Sequence, residues 1–150
     1  PTAILPDGSV MTESLAIVLA LDEEVPGAGL LPARGEPLRR EALRWLTFIV
    51  AAIYPTFTYG DDPKKWAGGA ELRAATDAHR TSLWEYLETI ARGPWFLGEQ
   101  MSAIDLYIGV MVHWRPRRAW FAETAPKLDQ IASAVIREPQ LAPIMAANFS

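Results

Sequence analysis

The chain has no cysteine. A disulfide framework, a thiolate zinc site and a cysteine nucleophile are therefore excluded within these residues. Histidine is scarce too, and His79 and His113 do not stand at metal-ligand spacing. No metal is expected. There is no lysine or arginine tract. The 14 basic against 18 acidic residues leave a net charge of −4, which argues against nucleic acid as a partner. Long hydrophobic runs are also missing. The longest, Trp45 to Tyr59, is too short to cross a bilayer and holds Pro55, so no membrane partner is expected. The residues open on a strand pattern rather than on a secretory signal. A soluble cytoplasmic protein is the expected setting.

Apolar residues, by contrast, are plentiful at 50%, enough for a sizeable core. Six tryptophans are a heavy load for this length, and such rings anchor cores or line pockets. At the start, Pro6-Asp7-Gly8-Ser9 separates two short apolar runs and reads as a β-hairpin turn. The expected strands are Thr2 to Leu5 and Ser9 to Met11. Thr12 then reads as an N-cap, with Glu13 in the positive first turn of a helix that runs to about Glu23 and is dense enough in apolar residues to be largely buried. No other segment looks like a strand. Two strands alone are marginal in water, so the hairpin needs further partners.

The stretch "VPGAGLLPARGEP" is the best candidate linker. Pro37 suits the first turn of a long second helix, which Pro55 is expected to bend or end. "YGDDPKKWAGG" reads as a loop. A third helix spans about Ala70 to Ala91, with Leu72, Ala75, His79, Leu83, Tyr86, Leu87 and Ile90 as its inner stripe. Ser102 and Asp105 fit a capping box at the start of a fourth helix, with Met101 and Leu106 placed for a hydrophobic staple. Leu106 to Val112 carries no charge, so that helix belongs in the centre of a bundle. "RPRRAWFAETA" is a short helix or turn. Another helix runs from Pro126 to about Arg137, with Leu128, Ile131, Val135 and Ile136 inward, and the tail to Ser150 makes a last short helical turn. The fold class is mainly α: a bundle of five or six helices preceded by a β-β-α piece.

Two stretches carry a family resemblance. "PTAILPDGSVMTESLAIVLALDE" resembles the end of the thioredoxin-like domain of glutathione transferases, in which a cis-proline opens the third strand and an acidic-Ser pair opens the helix bearing "ES-x-AI-x-x-YL". Here the pair is Glu13-Ser14, followed by Ala16-Ile17, and Ala20-Leu21 stands where Tyr-Leu is commoner. "GLLP" at 29–32 is similar to the family's interdomain linker. "FLGEQMSAIDLYIG" resembles the motif that opens the core helix of its all-α domain. A bacterial-type member is the expectation. The resemblance implies residues 1–26 as the C-terminal β-β-α part of the thioredoxin-like, glutathione-binding domain, 27–36 as the linker and 37–150 as the all-α domain. It also implies an upstream β-α-β unit and further helix, about fifty to eighty residues by typical element lengths. The Tyr, Ser or Cys that activates the glutathione thiol would lie there, so no catalytic residue is assigned within the chain.

The resemblance implies glutathione as co-substrate, a small apolar electrophile as its partner and a homodimer as the assembly, with Arg39, Arg40 and Arg44 as dimer contacts. For glutathione, Ser14 suits the γ-glutamyl carboxylate, Glu13 the ammonium beside it, and Pro1 the cis-proline next to the cysteinyl unit. Without the resemblance, Thr12-Glu13-Ser14 is a helix cap. Trp114 and Tyr54 are candidates for the electrophile pocket, or else core rings. Arg115, Arg117 and Arg118 read as a solvated cluster or as partners of an acidic substrate. Ser102 and Asp105 are assigned a structural role. Three functional readings stay open: a glutathione transferase, a non-catalytic ligand- or protein-binding module of the same fold, and a fragment of the enzyme.

Overall fold

Local signals account for most of the elements. In the computed structural model, which describes residues 1–62 and 65–149, strands β1 (Thr2–Ile4) and β2 (Val10–Thr12) pair antiparallel, Ala3 opposite Met11. The turn is held by Asp7, whose Oδ1 accepts from the Ser9 backbone N–H at 2.9 Å and the Ser9 hydroxyl at 2.6 Å. Helix α1 (Ser14–Glu24) follows. Thr12 is not its cap. Pairing with Thr2 keeps Thr12 extended as the last residue of β2, so the cap position passes to Glu13. Nor is α1 largely buried: Asp22 is its one buried residue and Leu21 is 46% exposed. Its apolar residues run around the helix, and the bundle covers only the side that presents Leu15, Val18 and Leu19.

The linker holds one short 3₁₀ turn, Pro26–Ala28. The bundle then comprises α2 (Pro37–Phe48), α3 (Tyr54–Asp61), α4 (Gly69–Ile90), α5 (Ala103–Met111), α6 (Arg118–Thr124), α7 (Pro126–Arg137) and α8 (Ala142–Phe149). Pro55 does not end the long helix. A π turn at Ile49–Ile53 joins α2 to α3, with the Tyr54 N–H bonding to Ile49 O. The wider turn makes room for a proline ring that would clash with the carbonyl four residues back. Tyr59, Gly60 and Asp61, expected in a loop, therefore extend α3; Pro63 and Lys64 of that loop lie outside the described residues, as does Ser150 beyond α8.

The central helix is α5, with Ala103, Ile104, Asp105, Ile108, Gly109 and Met111 buried. Gly109 lets α7 approach: a Cβ there would lie 2.6 Å from Val135 Cγ1. Ser102 and Asp105 form the capping box. Asp105, wholly buried, accepts from the Ser102 N–H at 2.7 Å, the Ser102 hydroxyl at 3.0 Å and the Phe96 N–H at 2.7 Å.

The inner stripe of α4 keeps the expected Leu83, Leu87 and Ile90 but departs from the expectation elsewhere. Arg80, Trp84 and Leu87 are buried, while His79 and Ala75 are exposed and Tyr86 is 43% exposed. An arginine faces inward because every part of it finds a partner. Its Nε donates to Thr56 Oγ1 at 2.8 Å, Nη2 to Thr56 O at 3.0 Å and Nη1 to Asp77 at 2.6 Å, and the guanidinium lies 3.9 Å over the Phe57 ring. Arg39 is likewise committed inside the chain. It pairs with buried Asp22 at 2.7 Å and donates to Pro32 O at 2.8 Å, so it ties α1 and the linker to α2 and is not free for the expected dimer contact.

Two outcomes follow from these buried groups. Asp105→Ala would strand two backbone N–H groups and should cost about 3 kcal/mol in urea unfolding, against about 1 kcal/mol for Ser102→Ala; equal costs would mean that the carboxylate does no more than cap. Burial raises the pKa of Asp77, but hydrogen bonds and charge from Arg80 and Arg115 prevail and hold it below the ordinary 3.8. The unfolded chain then binds the proton more readily, so this stability is present above pH 3.8 and lost as pH falls below it. The urea midpoint should decline below about pH 4, and less steeply in Asp77→Asn; parallel slopes would contradict the assignment.

Candidate functional site

Where β2 turns into α1, the backbone is strained. Glu13 has φ 67° and ψ 112°, a region that L side chains seldom occupy, and makes no side-chain cap hydrogen bond. This places Ser14 at the first helical position, where backbone N–H groups lack intrahelical acceptors and the helix dipole is positive. The Ser14 hydroxyl oxygen accepts from the Tyr107 hydroxyl of α5 at 2.6 Å.

Pro1, Glu13 and Ser14 line one cleft of about 320 Å³, which Tyr54 and Thr58 close on the bundle side. Tyr54 and Thr58 also border a second cleft of about 470 Å³, together with Phe57 and Trp114. The structure thus brings together all five residues proposed from the sequence for glutathione and electrophile, in two clefts that share a wall. Trp114 packs edge-on against Tyr54 at 5.4 Å and Phe57 at 5.3 Å. Both are half-core and half-lining rings, so neither of the readings left open for them excludes the other. Ser102 and Asp105 border neither of these two clefts.

Burial raises the pKa of Tyr54, and burial with nearby Tyr54 raises that of Tyr107 against the opposing hydrogen bond to Ser14. Both phenols keep their protons at neutral pH, and that of Tyr107 is donated to Ser14. The rim of the larger cleft is charged. Arg115 pairs with Asp61 and reaches Asp77 at 3.2 Å, whereas Arg118 bonds Asp129 at 2.6 Å and Ser133 away from the cleft. The three arginines are therefore not one solvated cluster. His113 lies at the far end of α5, stacked on Phe149 at 4.3 Å, and His79 is exposed on α4.

Sequence reasoning missed Tyr107, Thr58 and Phe57. Tyr107 looked like one more residue of an apolar helix, and nothing local marks its bond to a serine 93 positions away. Phe57 and Thr58 were hidden by the expectation that Pro55 bends or ends the helix. Chemically, the smaller cleft offers a hydroxyl and helix N–H groups to an anion, with a carboxylate beside them. The larger one offers aromatic surface. Among the described residues no group of three or more His, Asp or Glu stands ready for a metal ion, and no helix is long and apolar enough to cross a membrane.

No family model matches the chain. The uncharacterized GST-like protein YncG of Escherichia coli (strain K12) is 34% identical over 151 residues, covering 99% of this chain and 73% of that protein. The glutathione S-transferase GstA of Escherichia coli O157:H7 is 25% identical over 118 residues, covering 76% of this chain and 56% of its own length. Among solved structures, a sphingomonad glutathione S-transferase complexed with glutathione superposes with a TM-score of 0.78 at 25% identity, covering 98% of this chain and 72% of that one. Identity of 34% sustained along nearly the whole chain goes beyond shared architecture: this chain belongs to the glutathione transferase family.

Proposed function

We propose that the protein binds glutathione in the smaller cleft and conjugates its thiolate to a small, largely apolar electrophile held in the larger one. The observation that carries this reading is the common wall: Tyr54 and Thr58 border both clefts, so a thiol lying along one faces a reactive carbon in the other. Ser14 holds the γ-glutamyl carboxylate through its N–H and hydroxyl, and Glu13 takes the adjacent ammonium. Tyr107 is a positioning residue. By donating to Ser14 Oγ it leaves the serine proton free to point at the ligand. Pro1 flanks the cysteinyl unit. None of these 150 residues is assigned to activating the thiol. Residues 1–26 serve as part of the glutathione-binding domain, 27–36 as its linker and 37–150 as the all-α domain. The protein works in the cytoplasm as a homodimer, with Arg40 and Arg44 on the contact face.

The reaction balances simply. The thiol gives its proton up to water, the sulfur attacks the electrophilic carbon, a C–S bond forms, and the leaving group departs with its electron pair.

The product of the complete gene should be retained on immobilised glutathione and should conjugate 1-chloro-2,4-dinitrobenzene. Ser14→Ala should raise the glutathione KM about tenfold and Tyr107→Phe about threefold, with kcat for the conjugation little changed. Retention without turnover would favour the non-catalytic binding module, and failure of both would dismiss the glutathione site. Glu13→Gly separates strain from ligand contact. Relief of the positive φ, worth about 1–3 kcal/mol, outweighs the flexibility cost of about 0.5–1 kcal/mol. The variant should melt no lower than the parent yet bind glutathione more weakly; unchanged binding would reduce Glu13 to a cap.

A further inference from the structure

Arg117 breaks two local rules. It stands at the N-cap of α6, where an oxygen-bearing side chain or glycine is favoured, and it supplies no acceptor there. Its φ is 87°, a conformation suited to glycine. The turn is tight, with the Arg117 N–H on Trp114 O at 2.6 Å and the Arg117 carbonyl accepting from Trp120 at 3.1 Å. The one contact its side chain makes in the turn, to the His113 carbonyl, leaves most of the guanidinium unused. Such departures gather at functional sites.

The surrounding charges point the same way. Asp61 on the cleft rim is neutralised by Arg115, and Asp77 behind it is shared by Arg115 and Arg80. Arg118 is turned to Asp129. Arg117 donates through one nitrogen, Nη1, to His113 O at 2.6 Å, and among the described residues no carboxylate lies within ion-pair distance of it. It lines the 470 Å³ cleft all the same. The cleft therefore has aromatic walls from Tyr54, Phe57 and Trp114 and one uncompensated guanidinium at its edge.

We propose that Arg117 determines the specificity of this cleft and that the electrophile it accepts has an aromatic or apolar body bearing a carboxylate. The guanidinium fork receives the carboxylate, and the rings hold the body against the sulfur. This rests on the proposed conjugation and names its substrate class.

Two aryl chlorides that react by the same step provide the test: neutral 1-chloro-2,4-dinitrobenzene and anionic 4-chloro-3-nitrobenzoate. In each, the thiolate attacks the carbon bearing chlorine, the C–S bond forms and chloride leaves with the electron pair. With the complete gene product, Arg117→Ala should raise KM for the anionic substrate about tenfold and leave KM for the neutral one within about twofold. Arg117→Lys should recover part of the loss. Binding of the two finished conjugates, followed by quenching of tryptophan fluorescence, should show the same selectivity without any chemistry. Equal changes for both substrates, no change, or a higher glutathione KM with either substrate would overturn the proposal; the last would mean that Arg117 holds a carboxylate of glutathione itself. An Arg117→Ala variant whose KM changes are alike for the two substrates while glutathione is still retained defeats this inference alone. A parent protein that does not bind glutathione defeats the conjugation reading and this one with it.

Discussion

The buried carboxylate of Asp105 is the constraint on which the rest of the molecule depends. A charge-bearing group with no exposure persists only if its oxygens are satisfied. Here one oxygen takes the Phe96 N–H and the other takes the Ser102 N–H and hydroxyl. The loop after α4 and the start of α5 are thereby locked to each other. The Ala103 N–H bonds Leu30 O at 2.8 Å, which adds the linker to the same joint. The start of α5 is thus held, and α5 carries both Tyr107 and, just past its end, Trp114. One structural carboxylate sets the frame for both clefts without touching either.

A second level of order comes from matched charges. Arg80 and the Arg39–Asp22 pair are buried or nearly so, and each would be costly with a partner missing. They act as joints. Arg80 ties α4 to α3 through Thr56, and Arg39 ties α2 to α1 and the linker. The matching also decides which cations are spent. Arg115 and Arg118 are committed within the chain, and this sets Arg117 apart from neighbours of the same type two residues and one residue away.

Much of the architecture was legible because its causes are local. The Pro-Asp-Gly-Ser turn, the Ser102–Asp105 spacing and the proline at the start of α2 and α7 each act within a few residues, and each element appears where those signals put it. The misreadings have equally definite causes. Thr12 was held in a strand by a partner ten residues away. The face of α4 was set by an arginine whose burial depends on Thr56 and Phe57 of another helix. The long helix passed Pro55 because a π turn absorbed the clash. The burial of α1 was overestimated because composition does not say which side a neighbour will cover.

The sequence alone determined the mainly helical class, the hairpin and the buried capping box, since turns, caps and periodicity are short-range effects printed in neighbouring residues; the candidates Glu13, Ser14, Tyr54 and Trp114 came instead from the resemblance to glutathione transferases. Only the tertiary structure decided that these candidates line two clefts with a common wall, that Tyr107 bonds Ser14 and that Arg117 alone of its trio has no carboxylate partner among the described residues. Those facts depend on which groups meet across 93 positions of chain in one case and on which carboxylates are already taken in the other. Pairing of that kind is settled by packing, where each polar group must find its partner in space rather than in sequence.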